Sequence, residues 1–152
     1  MDWQWLPFNA LSLTELYTIL RLRQEVFVVE QSCPYLDADG DDQACHHLLG
    51  RGPDGGLDAY LRVYPPGGLA GHDEVVIGRV ITAQRARRRG LGRELMLEGM
   101  ARASATWGPQ PIYLGGQSYL KRFYNNLGFA VCGPGYLEDD IPHLPMRRPA
   151  PR

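Results

Sequence analysis

At 152 residues the chain has the length of a single domain with a substantial core, and its 44% hydrophobic and 22% charged composition is that of an ordinary soluble globular protein. A formal net charge of -1 argues against a broadly nucleic-acid-binding surface, and the basic residues bunch instead between Arg85 and Arg93. No apolar run suits a membrane span, Met1-Asp2-Trp3 opens no leader-like segment, and Cys33, Cys45 and Cys132 are too scattered for a disulfide framework, so a reducing cytoplasm is the expected compartment.

Asp2 to Phe8 alternates aromatic and polar residues, as a first strand would. Ser12 and Glu15 have capping-box spacing. The helix they open carries Leu13, Leu16, Tyr17 and Leu20 as a stripe, widened by Ile19, Leu22, Val26 and Val29. Arg21, Arg23 and Glu25 are its polar exceptions, and its two-sided apolarity predicts more than one packing neighbour. Pro34 and the acids Asp37, Asp39, Asp41 and Asp42 break the pattern between Glu30 and Asp42. Ala44 to Leu49 and Leu57 to Tyr64 read as a hairpin around the turn Arg51 to Gly56. Pro65-Pro66-Gly67-Gly68 then leads to an apolar strand, Glu74 to Thr82.

Beyond the basic loop, Met96, Met100, Ala103 and Trp107 fall at helical spacing until Gly108-Pro109, with Glu98 and Arg102 placed to pair. Gly99 costs this helix about 1 kcal/mol relative to alanine, which predicts close packing against the sheet. Pro111 to Gly116 is a further strand, Ser118 caps a short helix, and Gly128 ends it in the left-handed conformation. Phe129 to Cys132 and Ile141 to Met146 are the last strands, the second weakened by Pro142 and Pro145. Arg147 to Arg152 reads as a loose tail. Neither a repeat nor a linker divides residues 1–152, which form one domain.

The chemistry concentrates where the apolar strand feeds Arg87-Arg88-Arg89-Gly90-Leu91-Gly92-Arg93 and then a helix. The first N–H groups of a helix lack internal partners, the dipole adds partial positive charge there, and phosphate oxygens are natural guests. Gly90 and Gly92 clear the backbone for close approach. No Gly-Lys-Ser/Thr follows, so this is not a Walker loop, and Leu95 stands where the dinucleotide fingerprint needs its third glycine. The pyrophosphate of coenzyme A fits; a solvated basic turn is the other reading.

Arg87-x-x-Gly90-x-Gly92 resembles the Q/R-x-x-G-x-G/A loop of the GNAT N-acetyltransferases. Leu120-Lys121-Arg122-Phe123-Tyr124-Asn125-Asn126-Leu127-Gly128-Phe129 resembles the helix-to-strand segment of the same family. Four stretches resemble its ElaA-like branch: Arg23 to Asp42 (with Val26-Phe27, Glu30-Gln31, Cys33-Pro34-Tyr35 and the acids), Val76 to Val80, Tyr113-Leu114-Gly115-x-Gln117, and Ile141-Pro142-His143. The resemblance implies an α/β GNAT fold: a mixed, mostly antiparallel sheet splayed at the central strand, flanked by helices, with acetyl-coenzyme A in the splay. It implies that backbone groups at Val80 and Ile81 meet the pantetheine and stabilise the thioester oxygen, and that residues Arg87 to Arg93 hold the pyrophosphate. Tyr124 would protonate the leaving thiolate, a sensible transfer for a phenol of pKa near ~10, although Leu120, Phe123, Tyr124 and Leu127 also make a core stripe. Arg23, Phe27, Glu30 and Gln117 fall on the acceptor side.

A general base is harder to place. Asp73 and Glu74 sit only at the start of the splayed strand, whose middle carries Arg79, which leaves Glu30, His47 and His143 as candidates. The acids Asp37 to Asp42 lack calcium-loop spacing, with Asp42 and Leu48 where glycine and glutamate belong; they read as a solvated loop or as an anionic lip for a cationic amine. Alternation puts His46 and His47 on opposite faces, so no metal is expected. Cys45 and Cys132 read as small buried strand residues. The expected reaction is transfer of an acyl group, acetyl in the simplest case, from coenzyme A to an amine by direct attack in a ternary complex. An acyl-homoserine-lactone-synthase-like enzyme and a non-catalytic coenzyme A module are the alternatives, separable by thiol release with S-adenosylmethionine, with simple amines, or with neither. The acceptor is not legible, and a homodimer is left open.

Overall fold

The computed structural model describes residues 1–151. In chain order its main elements are β1 (Asp2–Pro7), α1 (Leu13–Arg23), β2 (His46–Arg51), β3 (Leu57–Tyr64), β4 (Val75–Thr82), α2 (Leu91–Trp107), β5 (Ile112–Gln117), α3 (Lys121–Asn125), β6 (Ala130–Val131), β7 (Tyr136–Glu138) and β8 (Ile141–Arg148). One sheet runs β1-β2-β3-β4-β5-β8-β6, with β7 also on β8. Every pairing is antiparallel except β4 with β5.

Each face of the sheet has its own core. On one, Leu61, Val63, Val75, Ile77, Ile112 and Leu114 meet Leu95, Met96, Met100 and Ala103 of α2 and Tyr124 of α3. On the other, Leu49, Leu57, Tyr60 and Ile81 meet Ile19, Leu22 and Val26. Strand β3 is buried along its whole length between them, as a strand covered on both faces must be. The glycine inside α2 has the expected cause: a Cβ on Gly99 would lie 2.9 Å from Cδ2 of Leu61, so the missing side chain lets α2 settle onto β3.

The capping box of α1 is present, with the Glu15 N–H donating to Ser12 Oγ (3.0 Å) and the Ser12 N–H to Glu15 Oε1 (2.8 Å). The face it buries is only part of the expected stripe, the widening residues Ile19, Leu22 and Val26 and not its Leu13 and Tyr17. Leu13 and Tyr17 are 87% and 72% exposed, whereas Ile19, Leu22, Arg23 and Val26 are buried. The chain continues from α1 as a π-helical stretch, Gln24–Glu30. Gly128 takes φ +93° after α3, as expected, but the Ser118 side chain caps nothing; it begins a 3-10 turn. Strand β7 is an addition to the sequence reading. The prolines do not end β8 at Met146: the strand runs on, pairing Arg147 with Tyr113 and Arg148 with Ile112, so the tail begins after Arg148. Pro145 sits opposite the break between β6 and β7, where its carbonyl accepts the Cys132 N–H (2.9 Å), and the loss of one donor costs little at such a break. Cys45 is buried but Cys132 is exposed. No helix among the described residues is long and apolar enough to cross a membrane.

Candidate active site

The parallel ladder between β4 and β5 consists of Val75 with Ile112 and Val76 with Tyr113, and the strands then part. On its other side β4 is bulged. Tyr60 opposes Ile81 and Arg62 opposes Gly78, so Arg79 and Val80 together face Leu61. Arg79 adopts φ +52° there, a left-handed conformation uncommon for a residue with a Cβ. Parting and bulge together open a cleft of about 920 Å³ lined by Val80, Ile81, Thr82, Arg87 and Gly92 on one side and by Gln117, Phe123 and Tyr124 on the other.

Helix α2 begins at this cleft. Gly90 is its N-cap at φ +72°, and a Cβ on Gly92 would meet nothing nearer than the Phe123 ring at 3.7 Å. Leu91 buries its side chain in the core, which leaves its backbone for the loop. Arg88, Arg89 and Arg93 are exposed, outside the cleft lining, and Arg89 donates to the Arg85 carbonyl (2.8 Å). Arg87 turns inward: its Nε donates to the Thr82 carbonyl (3.2 Å), and its two Nη atoms fork onto both oxygens of Glu30 at 2.8 Å each.

Tyr124 is 5% exposed, and burial pushes its phenol up to about 12. Its ring packs edge-on to Phe123 and Phe129 and lies against β5, where a Cβ on Gly116 would come 2.8 Å from Tyr124 Cε2. The neighbouring Gly115 makes the same concession on the opposite face, to the Tyr136 hydroxyl. The two glycines thus seat one tyrosine on each side of β5.

The three base candidates separate. His47 is fully buried and outside the cleft lining. Its Nε2–H donates to the Asp42 carbonyl (2.9 Å) and its Nδ1 accepts from the Tyr60 hydroxyl (2.7 Å). Burial holds its pKa below the ordinary value, so it is a neutral structural histidine, and the expectation of a base is corrected. Glu30 lines the cleft, but its carboxylate is occupied by Arg87. His143 also lines the cleft, 9% exposed and stacked on Tyr136. Its Nδ1–H donates to the Ile141 carbonyl (2.7 Å), which turns Nε2 toward the Glu138 carboxylate at 3.5 Å.

The acidic loop is not simply solvated, because Asp37, Asp39 and Asp42 are paired internally, whereas Asp41 accepts from the Tyr64 hydroxyl (2.7 Å) and lines the cleft beside Asp39. Arg23 is fully buried, donating to Asp37 Oδ2 (2.8 Å), Asp42 Oδ1 (2.6 Å) and the Asp37 carbonyl (2.8 Å). Arg62 forks onto both oxygens of Asp39 and also reaches Asp42. Arg79 donates to Asp37 and Asp39. Burial alone would raise Asp39 and Asp42; the bonds from Arg62 and Arg23 outweigh it and hold both below the usual carboxylate range. Arg23 is therefore structural, correcting its assignment to the acceptor side. Phe27 and Gln117 do line the cleft, with Gln117 Nε2 donating to Gln31 Oε1 (3.4 Å). The sequence reading gave Arg62 no role. Its signal was a charged residue within an apolar strand, one of three arginines set in apolar elements against three nearby aspartates.

Residues 67–149 match the acetyltransferase (GNAT) domain family. The chain is 42% identical to protein ElaA of Escherichia coli (strain K12), over 97% of its own length and 96% of that protein. The crystal structure of an acyl-CoA N-acyltransferase from Pseudomonas aeruginosa superimposes with a TM-score of 0.89 at 46% identity, covering 97% of this chain and 99% of that one. The crystal structure of Escherichia coli ElaA gives 0.88 at 41%, covering 97% and 98%.

Proposed function

Because this chain belongs to the GNAT acetyltransferase family, we propose that it transfers an acyl group, acetyl in the simplest case, from a coenzyme A thioester to a primary amine by direct attack in a ternary complex. The observation that carries this reading is that the bulged strand β4, the N-terminus of α2 and Tyr124 border one cleft. The residues present suit the donor. The parted strands leave room for a pantetheine arm along Val80 and Ile81, and Gly92 opens toward the cleft where a side chain would intrude. The N–H groups of Gly90 to Arg93, with Arg87, would hold the pyrophosphate. Bound there, the thioester supplies an activated acyl carbon and a thiolate leaving group.

A bulge leaves a residue out of the strand ladder; Val80 is skipped between the Tyr60–Ile81 and Arg62–Gly78 pairs, so its N–H would hydrogen-bond the acyl oxygen as negative charge develops on it. His143 accepts the proton from the acceptor ammonium at Nε2, directly or through one water, with Nδ1 fixed on the Ile141 carbonyl. Glu138 beside it favours a cationic acceptor. Tyr124, kept protonated by burial, gives its proton to the departing thiolate. The test is thiol release with acetyl-, propionyl- and longer acyl-coenzyme A against a panel of amines that includes S-adenosylmethionine. Acceptor-dependent release with simple amines supports the reading. Tight thioester binding without release for any amine would sink it.

A further inference from the structure

The residues Arg23 to Asp42 and Arg79 carry the family branch resemblance yet supply no group to the mechanism above. We propose that Arg79 is a positioning residue, and that the Asp37 to Asp42 loop, gripping its guanidinium, holds the β4 bulge open and so keeps Val80 and Ile81 on the cleft. The proposal rests on the acyl-transfer reading for its function, but its structural content stands apart from that reading.

The bulge asks for a conformation that its own sequence does not favour. Arg79 has φ +52°, a region glycine enters freely and arginine does not. The strand has a glycine at position 78, one residue early for this purpose. Something outside β4 must therefore impose the geometry, because strained residues persist only where their surroundings over-determine them.

The surroundings do so from four sides. Arg79 Nε donates to Asp37 Oδ1 (2.8 Å), and Nη2 donates to the Asp37 carbonyl (3.2 Å) and to Asp39 Oδ2 (3.2 Å). Its guanidinium lies 6.0 Å from the ring centroid of Phe27 and 5.7 Å from that of Tyr35. The anchors are themselves fixed. Asp37 is held by Arg23 on its other oxygen and by the Tyr35 hydroxyl (3.1 Å), and Asp39 is forked by Arg62. Asp42 then joins Arg23 to Arg62. The clamp thus runs from the end of α1, through a loop, to the residue at which β4 departs from regular pairing, beyond the point where it has already left β5.

Two variants separate backbone control from a ligand contact. Arg79→Ala and Arg79→Gly both delete the guanidinium, but only glycine accepts the left-handed conformation without strain. Calorimetric titration of the full chain with acetyl-coenzyme A should show Arg79→Ala weakened about tenfold or more, with Arg79→Gly within about threefold of the parent. Amide hydrogen exchange at residues 78–82 of the unliganded protein should accelerate in the alanine variant and much less in the glycine variant. Equal weakening by both variants, or none by either, overturns the clamp. If the parent chain binds no thioester, the acyl-transfer reading fails, while the exchange comparison still decides the clamp. Should Arg79→Ala not fold, Arg79→Asn replaces it, because asparagine tolerates the left-handed region better than other residues with a Cβ; its exchange and affinity must then fall nearer the glycine variant than the valine variant Arg79→Val.

Discussion

Glu30 and Arg87 meet at the cleft through two parallel N–H···O bonds of 2.8 Å. One end of this pair is on the π-helical stretch after α1, and the other is on the loop that opens α2. Arg87 must give up Glu30 if it is to face a pyrophosphate. Both side chains are 34% exposed, so the pair itself is worth little. Glu30→Gln is expected to raise the affinity for coenzyme A about two- to fivefold, read by calorimetric titration, while Arg87→Ala lowers it. An unchanged affinity in Glu30→Gln would show that Arg87 stays where it is.

Tyr124→Phe should lower kcat about a hundredfold while the KM for acetyl-coenzyme A moves little. Burial raises the phenol to about 12, and an acid works while it keeps its proton. Loss of activity from Tyr124 ionisation therefore lies at the far alkaline end. A basic limb of kcat in the region of about pH 9 belongs to another group and should survive in the phenylalanine variant.

Gly116→Ala tests the seat rather than the hydroxyl. The added methyl would press on a ring edge 2.8 Å away, and a rigid ring on a short helix has little room to yield. The expected cost is about 1–3 kcal/mol of stability, as for other overpacked sites, together with a fall in kcat. Thermal unfolding and steady-state rates check the two. Wild-type turnover in this variant would mean that the position of the Tyr124 ring is immaterial.

Stability should fall with acid in two stages. Burial lowers the folded-state values of His46 and His47, and Asp39 and Asp42 are lowered by their arginines against the opposing effect of burial. In each case the unfolded chain binds a proton that the folded chain resists, so the stability is complete above the unfolded value and is lost as the pH falls. The histidine stage begins near about pH 6.5 and the aspartate stage near about pH 4. Tm measured from neutral pH downward should trace both, and a level Tm down to about pH 3 would contradict the buried ion pairs.

What could be read in the chain and what could not follow from the reach of the interactions. Ser12 with Glu15, the hairpin strand Leu57 to Tyr64 after its glycine-rich turn and Gly99 within a helix each declare themselves within a few residues, and all were legible. The glycine-bearing loop before α2 and the short helix that carries Tyr124 were legible because both lie on segments with a fixed local pattern. Arg23 looked like a polar exception on a helix because periodicity cannot see Asp37 and Asp42, which neutralise it from beyond the helix. Alternation correctly put His46 and His47 on opposite faces, but not which of them would be sealed beneath Phe8 and Tyr60. Strand β7, three residues long, is too short to show a period at all.

The cluster of Arg23, Arg62 and Arg79 with Asp37, Asp39 and Asp42 balances three positive charges against three negative ones. Each member bonds two others, so removing one leaves no partner alone but puts the cluster one charge out of balance in a poorly hydrated place, at a cost approaching about 3–5 kcal/mol where the group removed is fully buried, as Arg23 is. That is a large share of what keeps a domain of this size folded. The six positions are therefore not free to drift one at a time. Among descendants of this chain the buried members Arg23, Arg62, Asp37 and Asp42 should be inherited together or exchanged in charge-matched pairs, and a saturation mutagenesis screen should find double replacements at these four that succeed where both single replacements fail.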